Sequence, residues 1–418
     1  MSNNQQLDHL FRHQYGKMVS LLAKIFGLEH LDTIEDAVQD TFITAFRSWP
    51  NQYPDNPEGW LYKAAKNRML DILRKRASEQ KRFPKVIPDF ENQSETDLIL
   101  ENEVSDSQLR MIFTACNPRL DTRDQLAFSL KTISGFSEKE IASALLLKQE
   151  TVKKRLQRAR KTIQAEQIAF EIPEGSSLPH RLDRVHDVIY LIFNEGFHSG
   201  KKELLIREEL CGEALRLSKM LLTNSYTSTA ASHALFALLC FHSARLRSKT
   251  NADHEVISLR EQDRTAWYRP LIELGHSAMN KAVETEELSR FHYEAAIASE
   301  HLKAPTYEET DWSRLLMWYE RLDAVYSSPL NHLNMAIIHI QLEQFTEAMN
   351  ILQKIEPEEL EQRRYLYHGL LAEYYFRQGI YEKARSQIDI AIEKVNNNSE
   401  KNFLTKKRDK ILAAIQQA

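Results

Sequence analysis

Glycine and proline are scarce, 11 and 12 in 418 residues. Tight turns draw on both, so the scarcity disfavours sheet-rich folds with many hairpins. The three cysteines, Cys116, Cys211 and Cys240, are odd in number, far apart and include no C-x-x-C pair. That pattern argues against a disulfide scaffold or a cysteine zinc site and fits a reducing cytoplasm. No stretch approaches the roughly 18 apolar residues of a membrane span. The longest candidate, 230–241, contains His233 and is too short. The first residues, MSNNQQLDHLFRHQ, lack the basic start and apolar run of a signal peptide. The expectation is a cytoplasmic protein that does not engage a membrane. Catalytic signatures are missing as well: there is no G-x-x-x-x-G-K-[ST], H-E-x-x-H, G-x-S-x-G or EF-hand loop. His9 and His13 are spaced i, i+4 but have no third ligand nearby. Neither enzyme activity, nor a metal, nor a cofactor is expected.

What the chain does have is helix-forming composition, with repeated Leu, Ala, Glu, Lys, Arg and Gln, 42% hydrophobic and 27% charged residues. Its length implies two to four domains. Net charge is only −4, but it is unevenly spread. Residues 1–170 carry about +2 and residues 171–418 about −6. Residues 63–76 hold six Lys/Arg against one Asp, and 148–161 hold seven against one Glu. Between them, 86–109 contain seven Asp/Glu and no Lys or Arg.

The apolar spacing predicts an amphipathic helix over 7–30, on Leu10, Tyr15, Val19, Leu22 and Ile25. A second helix opens at Asp32, with Glu35 as the partner of a capping box. Its apolar face is Val38, Phe42, Ala45 and Phe46, while Asp36, Gln39, Asp40, Ile43 and Arg47 lie off that face. Pro50 and Pro54 require a loop over 49–55. Asn56 and Pro57 then start a helix that runs to about Arg76. Leu61, Ala64, Ala65, Ile72 and Leu73 line its inner side; Trp60, Lys63, Asn67, Asp71 and Arg74 share another. With Trp60 and Tyr62 near its start, this basic helix suits single-stranded DNA, aromatic faces stacking on bases while cations hold the backbone. A plain amphipathic helix with Trp60 in the core is the other reading. Residues 78–106 read as an acidic linker, and helices resume near Ser107 and over 122–134.

Residues 136–141 are unusually informative. Ser137 stands at N-cap and Glu140 three residues inside the helix, with Phe136 and Ile141 placed for a hydrophobic staple. After a short turn a second helix runs from about Gln149 to Ala165 on the core stripe Val152, Leu156, Ala159 and Ile163. Its cap position holds Lys148 instead of Ser, Asp or Asn. Such a helix-turn-helix lays its second helix in a major groove. Gln149, Glu150, Thr151, Lys154 and Arg158 are then placed for base edges, and Lys153, Arg155, Arg160 and Lys161 for phosphates. A surface helix with a solvated basic face is the alternative. Pro173, Gly175 and Pro179 mark a domain boundary, with helix to the end beyond it. Phe345-Thr-Glu-Ala348 and Tyr381-Glu-Lys-Ala384 repeat at 36 residues, followed at matching offsets by Leu352 and Ile388, and by Ile355 and Ala391. Trp312 to Leu315 stand one period earlier. This period points to stacked helical hairpins of tetratricopeptide type.

Three strings in order resemble regions 2 and 4 of the extracytoplasmic-function sigma factors of the sigma-70 family. They are Asp36-Ala-Val-Gln-Asp-Thr-Phe42, Gly59-Trp-Leu-Tyr-Lys-Ala-Ala-Lys-Asn67 with Asp71-Ile-Leu-Arg74, and Thr151-Val-Lys-Lys-Arg-Leu-Gln-Arg-Ala-Arg160. Leu191-Ile-Phe-Asn-Glu-Gly-Phe197 and Glu261-Gln-Asp-Arg264 are similar to the subgroup with a tetratricopeptide-like C-terminal extension. The resemblance implies an all-α protein that binds RNA polymerase core enzyme and promoter DNA. Asp36, Gln39, Asp40 and Phe42 would dock on the polymerase. The loop 49–56 with Trp60, Lys63, Asn67 and Arg74 would open and capture the minus-ten element. Gln149, Glu150, Thr151, Lys153, Lys154, Arg155 and Arg158 would meet the minus-thirty-five element. The acidic linker would lie in the polymerase's RNA path. The expected domains are 1–77, the linker 78–106, 107–168 and a helical-repeat domain 179–418 that modulates activity, by intramolecular contact with the sigma domains among other routes. The competing reading is a duplex-binding helix-turn-helix regulator with a helical sensor domain, which leaves 32–76 unexplained.

Overall fold

The computed structural model describes residues 3–49, 53–79, 101–145, 147–197, 207–249, 251, 257–396 and 398–417. Eighteen α-helices and no strand occur among the described residues, so the protein is all-α. Most of the acidic linker, and the side chains of His9 and His13, lie outside the described residues. The chain forms two compact units that divide between Leu191 and Ile192.

The first unit begins with α1 (Asn3–Phe26), α2 (Leu31–Ser48) and α3 (Pro57–Glu79). Tyr15, Leu22, Ile34, Leu61 and Met69 are sealed between them. As expected, Asn56 caps α3, its side chain accepting from the Gly59 amide at 2.9 Å. No capping box forms at Asp32. Leu31 opens α2 behind a 3-10 turn over Leu28–His30, and the N-cap, His30, makes no side-chain cap bond. Glu35 is thereby free to turn inward, to partners described below. Phe46 is exposed, and Tyr62, expected as a stacking surface, is buried with Leu61 and Ala65.

The next four helices are α4 (Glu101–Ala115), α5 (Thr122–Thr132), α6 (Glu138–Ala144) and α7 (Gln149–Ala165). Helix therefore resumes six residues before Ser107. Helix α1 packs on α4, and α5 and α6 pack on α7. The approach is close: a Cβ added at Gly16 on α1 would lie 1.9 Å from the Ile133 carbonyl oxygen. Gly135, at φ +69°, faces the Tyr15 ring, in a backbone region that L side chains rarely adopt.

Helix α8 (Ser177–Phe197) starts inside the first unit. Arg181 donates to the Phe113 carbonyl at 2.7 Å, and Arg184 to Gln125 Oε1 at 2.9 Å and to Thr122 Oγ1. Leu182, Val185, Val188 and Ile189 are buried. These contacts move the division away from the Pro/Gly segment 171–179 and from the expected start at 179.

The second unit continues with α9 (Glu208–Leu221), α10 (Ala230–Ala244), α11 (Arg269–Ala282), α12 (Arg290–Lys303) and α13 (Trp312–Val325). It closes with α14 (Pro329–Gln341), α15 (Phe345–Leu352), α16 (Arg364–Arg377), α17 (Tyr381–Lys394) and α18 (Asn398–Gln417). Helix α10 is the apolar stretch that was too short for a membrane; it is instead a core helix, packed by α9, α11 and α12. No described helix is long and apolar enough to cross a membrane. The paired repeat positions Ala348 and Ala384, Leu352 and Ile388, and Ile355 and Ala391 are all buried, in two successive hydrophobic clusters. Helices α14 with α15, and α16 with α17, form hairpins around these residues.

Candidate nucleic-acid interface

Helix α2 divides as its sequence suggests. Val38 and Ala45 are sealed, whereas Asp36 is exposed and Gln39 and Asp40 are half-exposed. Phe42 is only 4% exposed, so its ring belongs to the interior. Asp40 accepts two bonds from Arg68 of α3, at 3.1 and 2.8 Å. On α3, Lys63, Asn67 and Arg74 are exposed together, with Arg74 3.6 Å from Asp71. Trp60 is half-buried against Trp49, with ring centroids 5.5 Å apart. Trp49 is buried and carries Tyr53 on another edge at 5.1 Å. Tyr53 is 58% exposed, which makes it the most accessible ring of this cluster. The sequence reading did not single it out, although its position in a proline-flanked loop next to two tryptophans was a signal.

The helix-turn-helix forms as read. Ser137 and Glu140 make the reciprocal capping box of α6, with bonds of 2.8 and 3.2 Å. Helix α7 spans Gln149–Ala165 with Val152, Leu156, Ala159 and Ile163 buried, and Lys148 makes no side-chain cap bond. Gln149, Glu150, Lys153, Lys154 and Arg158 are exposed, and Thr151 and Arg155 half-buried. Lys153 lies 3.5 Å from Glu150, and Gln149 reaches Glu138 at 3.5 Å.

Two arginines of α7 are engaged elsewhere. Arg158 forms a two-pronged contact with the buried Asp124 of α5, at 3.1 and 2.8 Å. That bond holds the guanidinium still more firmly in its charged form. Burial lowers the pKa of Arg155, opposed by the Asp124 charge. Arg160, expected among the phosphate contacts, turns to the N-terminal helices: it lies 2.7 Å from Asp32 and 2.9 Å from Glu35. Lys131 of α5 stands 3.9 Å from the same Glu35 oxygen. Burial nonetheless raises the Glu35 pKa against both cations. This cluster escaped the sequence reading because Arg160 and Glu35 lie 125 positions apart, and Glu35 had a local explanation as a cap.

Comparison with known proteins agrees with this geometry. Residues 10–79 match the model of sigma-70 region 2 and residues 110–163 that of sigma-70 region 4. Residues 181–283 match a family of unknown function, DUF6596. Among curated relatives, the uncharacterized protein R00370 of Rhizobium meliloti is 31% identical over 388 residues, 92% of this chain and 91% of the relative. The ECF RNA polymerase sigma factor SigE of Mycolicibacterium smegmatis is 31% identical over 156 residues, 37% of this chain and 59% of that protein. The RNA polymerase sigma factor CnrH of Cupriavidus metallidurans is 29% identical over 174 residues, 39% and 88% of the two chains. No solved structure matches. Region 2 followed by region 4, each with its exposed basic helix, defines a promoter-recognition subunit of RNA polymerase. The chain belongs to the extracytoplasmic-function sigma factors of the sigma-70 family, with a DUF6596 region in its C-terminal extension. Such domains imply binding to core polymerase and promoter DNA, and as a family sigma factors are not enzymes.

Proposed function

We propose that this sigma factor, acting in the cytoplasm, docks on core polymerase through Asp36, Gln39 and Asp40, with Phe42 supporting that face from inside. The observation that carries the reading is the division of α2 and α7 into a sealed apolar stripe and an accessible polar one. On α3, Lys63, Asn67 and Arg74 hold the backbone of the opened minus-ten strand, and Tyr53 and Trp60 offer rings to its bases. On α7, Gln149, Glu150, Thr151 and Lys154 read base edges of the minus-thirty-five element, while Lys153 and Arg155 meet phosphates. Arg158 joins the readout by exchanging Asp124 for a base.

Reading both elements requires the first unit to open. By their names the elements are about 25 base pairs apart, more than two duplex turns of roughly 34–36 Å each. A compact unit of 191 residues has a radius of gyration of about 16 Å. One globule of that size does not span the distance, so the Arg160–Glu35 contact breaks in the promoter complex.

The second unit modulates the first, through a surface that binds polymerase or the sigma domains. Its net acidity supports attraction to the basic α7, but screening over about 8 Å at physiological salt leaves that attraction weak without apolar contact. Removing residues 192–418 is expected to change run-off transcription severalfold, with folding checked by circular dichroism. The test of docking is Asp36→Lys in the full chain. Co-purification with core polymerase and run-off transcription are expected to be lost while helicity stays intact. Retention of both sinks the assignment of this face.

A further inference from the structure

Three cations of the second unit are withdrawn from bulk solvent near one another: Arg245, Lys249 and Arg264. Two of them rest on the carbonyl ends of helices, where the helix dipole favours positive charge. Lys249 donates to the Phe197 carbonyl, at the end of α8, at 2.7 Å and stands 3.4 Å over the Phe197 ring. Arg264 donates to the carbonyls of His301 and Ala304, at the end of α12, at 2.7 Å each. Arg245, the residue following α10, has neither support. Its Nε is sealed from solvent with no hydrogen-bond partner, and no carboxylate pairs with it among the described residues.

The surroundings repeat the pattern. His242 lies one helical turn before Arg245, its ring 5.0 Å from that of Phe197. His301 supplies one of the carbonyls that hold Arg264. In both imidazoles Nδ1 is sealed and unpartnered. Burial and the neighbouring cations push His301 down to about 3 and His242 well below its ordinary value, so both rings are neutral. Burial, then the Arg264 charge, pushes Arg245 down to about 10; burial, then Arg245, pushes Lys249 down to about 7. A buried guanidinium normally finds a counter-charge, because an unpaired one keeps its full desolvation cost. Arg245 is half-buried and its sealed nitrogen is Nε, which leaves the outer guanidinium nitrogens as the side that meets solvent.

We propose that the second unit binds an oxyanion, the phosphate or carboxylate of a small molecule, at Arg245, with the neutral His242 and His301 rings and Lys249 as its surroundings. The guanidinium fork matches two oxygens of either group. The site is independent of how the second unit acts on the sigma domains.

The test uses the full chain in chloride buffer, titrated at constant ionic strength with inorganic phosphate or with succinate. Thermal unfolding and titration calorimetry are read together. At saturation either anion is expected to raise the melting temperature of the second unit by roughly 2–4 °C. Arg245→Gln loses the shift and the binding heat. Arg245→Lys, which keeps the charge without the fork, retains a weakened response. A response to phosphate alone identifies a phosphorylated ligand, and one to succinate alone a carboxylate. No saturable response to either anion overturns the proposal. So does the same response in Arg245→Gln, which would mean general salt stabilisation.

Discussion

Arg160 in the first unit and Arg245 in the second are both withdrawn from solvent, yet they face opposite surroundings. Arg160 meets Asp32 and Glu35 within 3 Å, while Arg245 meets no carboxylate among the described residues. The same residue type thus serves as a fastener in one unit and, in the other, stands without a carboxylate partner among the described residues. Burial alone does not distinguish the two roles; the counter-charge does. In the first unit both acidic partners come from one helix, α2, and join sigma regions 2 and 4. In the second, helix carbonyl ends hold Lys249 and Arg264, and Arg245 is left without that support.

One substitution, made in both units, breaks the comparison most directly. Arg160→Met strands Glu35 beside Lys131 alone and is expected to destabilise the first unit by about 3–5 kcal/mol. Urea unfolding followed within 1–191 reads the loss; a change below 1 kcal/mol would show that the pair contributes nothing net. Arg245→Met is expected to act with the opposite sign, stabilising the second unit by about 1–3 kcal/mol in chloride buffer, since it removes a half-buried charge with no carboxylate partner among the described residues. A loss of stability there would mean that the guanidinium already has a partner.

Arg158 tests the comparison at the exposed end. In the proposed readout its bond to Asp124 stands in competition with a base edge. Arg158→Ala is expected to alter preference at one upstream promoter position by about 1–3 kcal/mol. Arg155→Ala is expected to weaken all promoters alike. Identical profiles for the two variants across a reporter panel would refute this division of roles.

The smallest expected effect is a pH slope. Lys249 titrates near 7 in the folded chain, against 10.5 ordinarily, because of burial and the Arg245 charge. Above pH 7 the unfolded chain therefore binds more protons, and stability rises with pH; below 7 both states are charged and the contribution is flat. Between pH 7 and about 8.5 the gain is at most about 1.4 kcal/mol per pH unit. It should vanish in Lys249→Met. An equal slope in wild type and variant assigns it to another group.

Much of this was legible locally. The capping box at Ser137 and Glu140, the Asn56 cap and the apolar stripe of α7 all depend on residues within a few turns of one another. The buried repeat positions, from Ala348 to Ala391, were legible because a period carries its own confirmation. Phe46 and Tyr62 were misread for a common reason. Helical spacing says which residues share a face, but not how wide the covered part of that face is.

The amino-acid sequence by itself determined the helices, the helix-turn-helix, the two basic segments and the resemblance to sigma regions 2 and 4. Each rests on short-range spacing, which a linear chain displays directly. Only the tertiary structure decided that Glu35 faces Arg160 across 125 positions, that Asp124 holds Arg158, and that α8 begins inside the first unit. It alone decided that Arg245 is left without a counter-charge among the described residues. Charge pairing depends on which helices meet and on what solvent can reach, and neither is written in the order of residues along one helix.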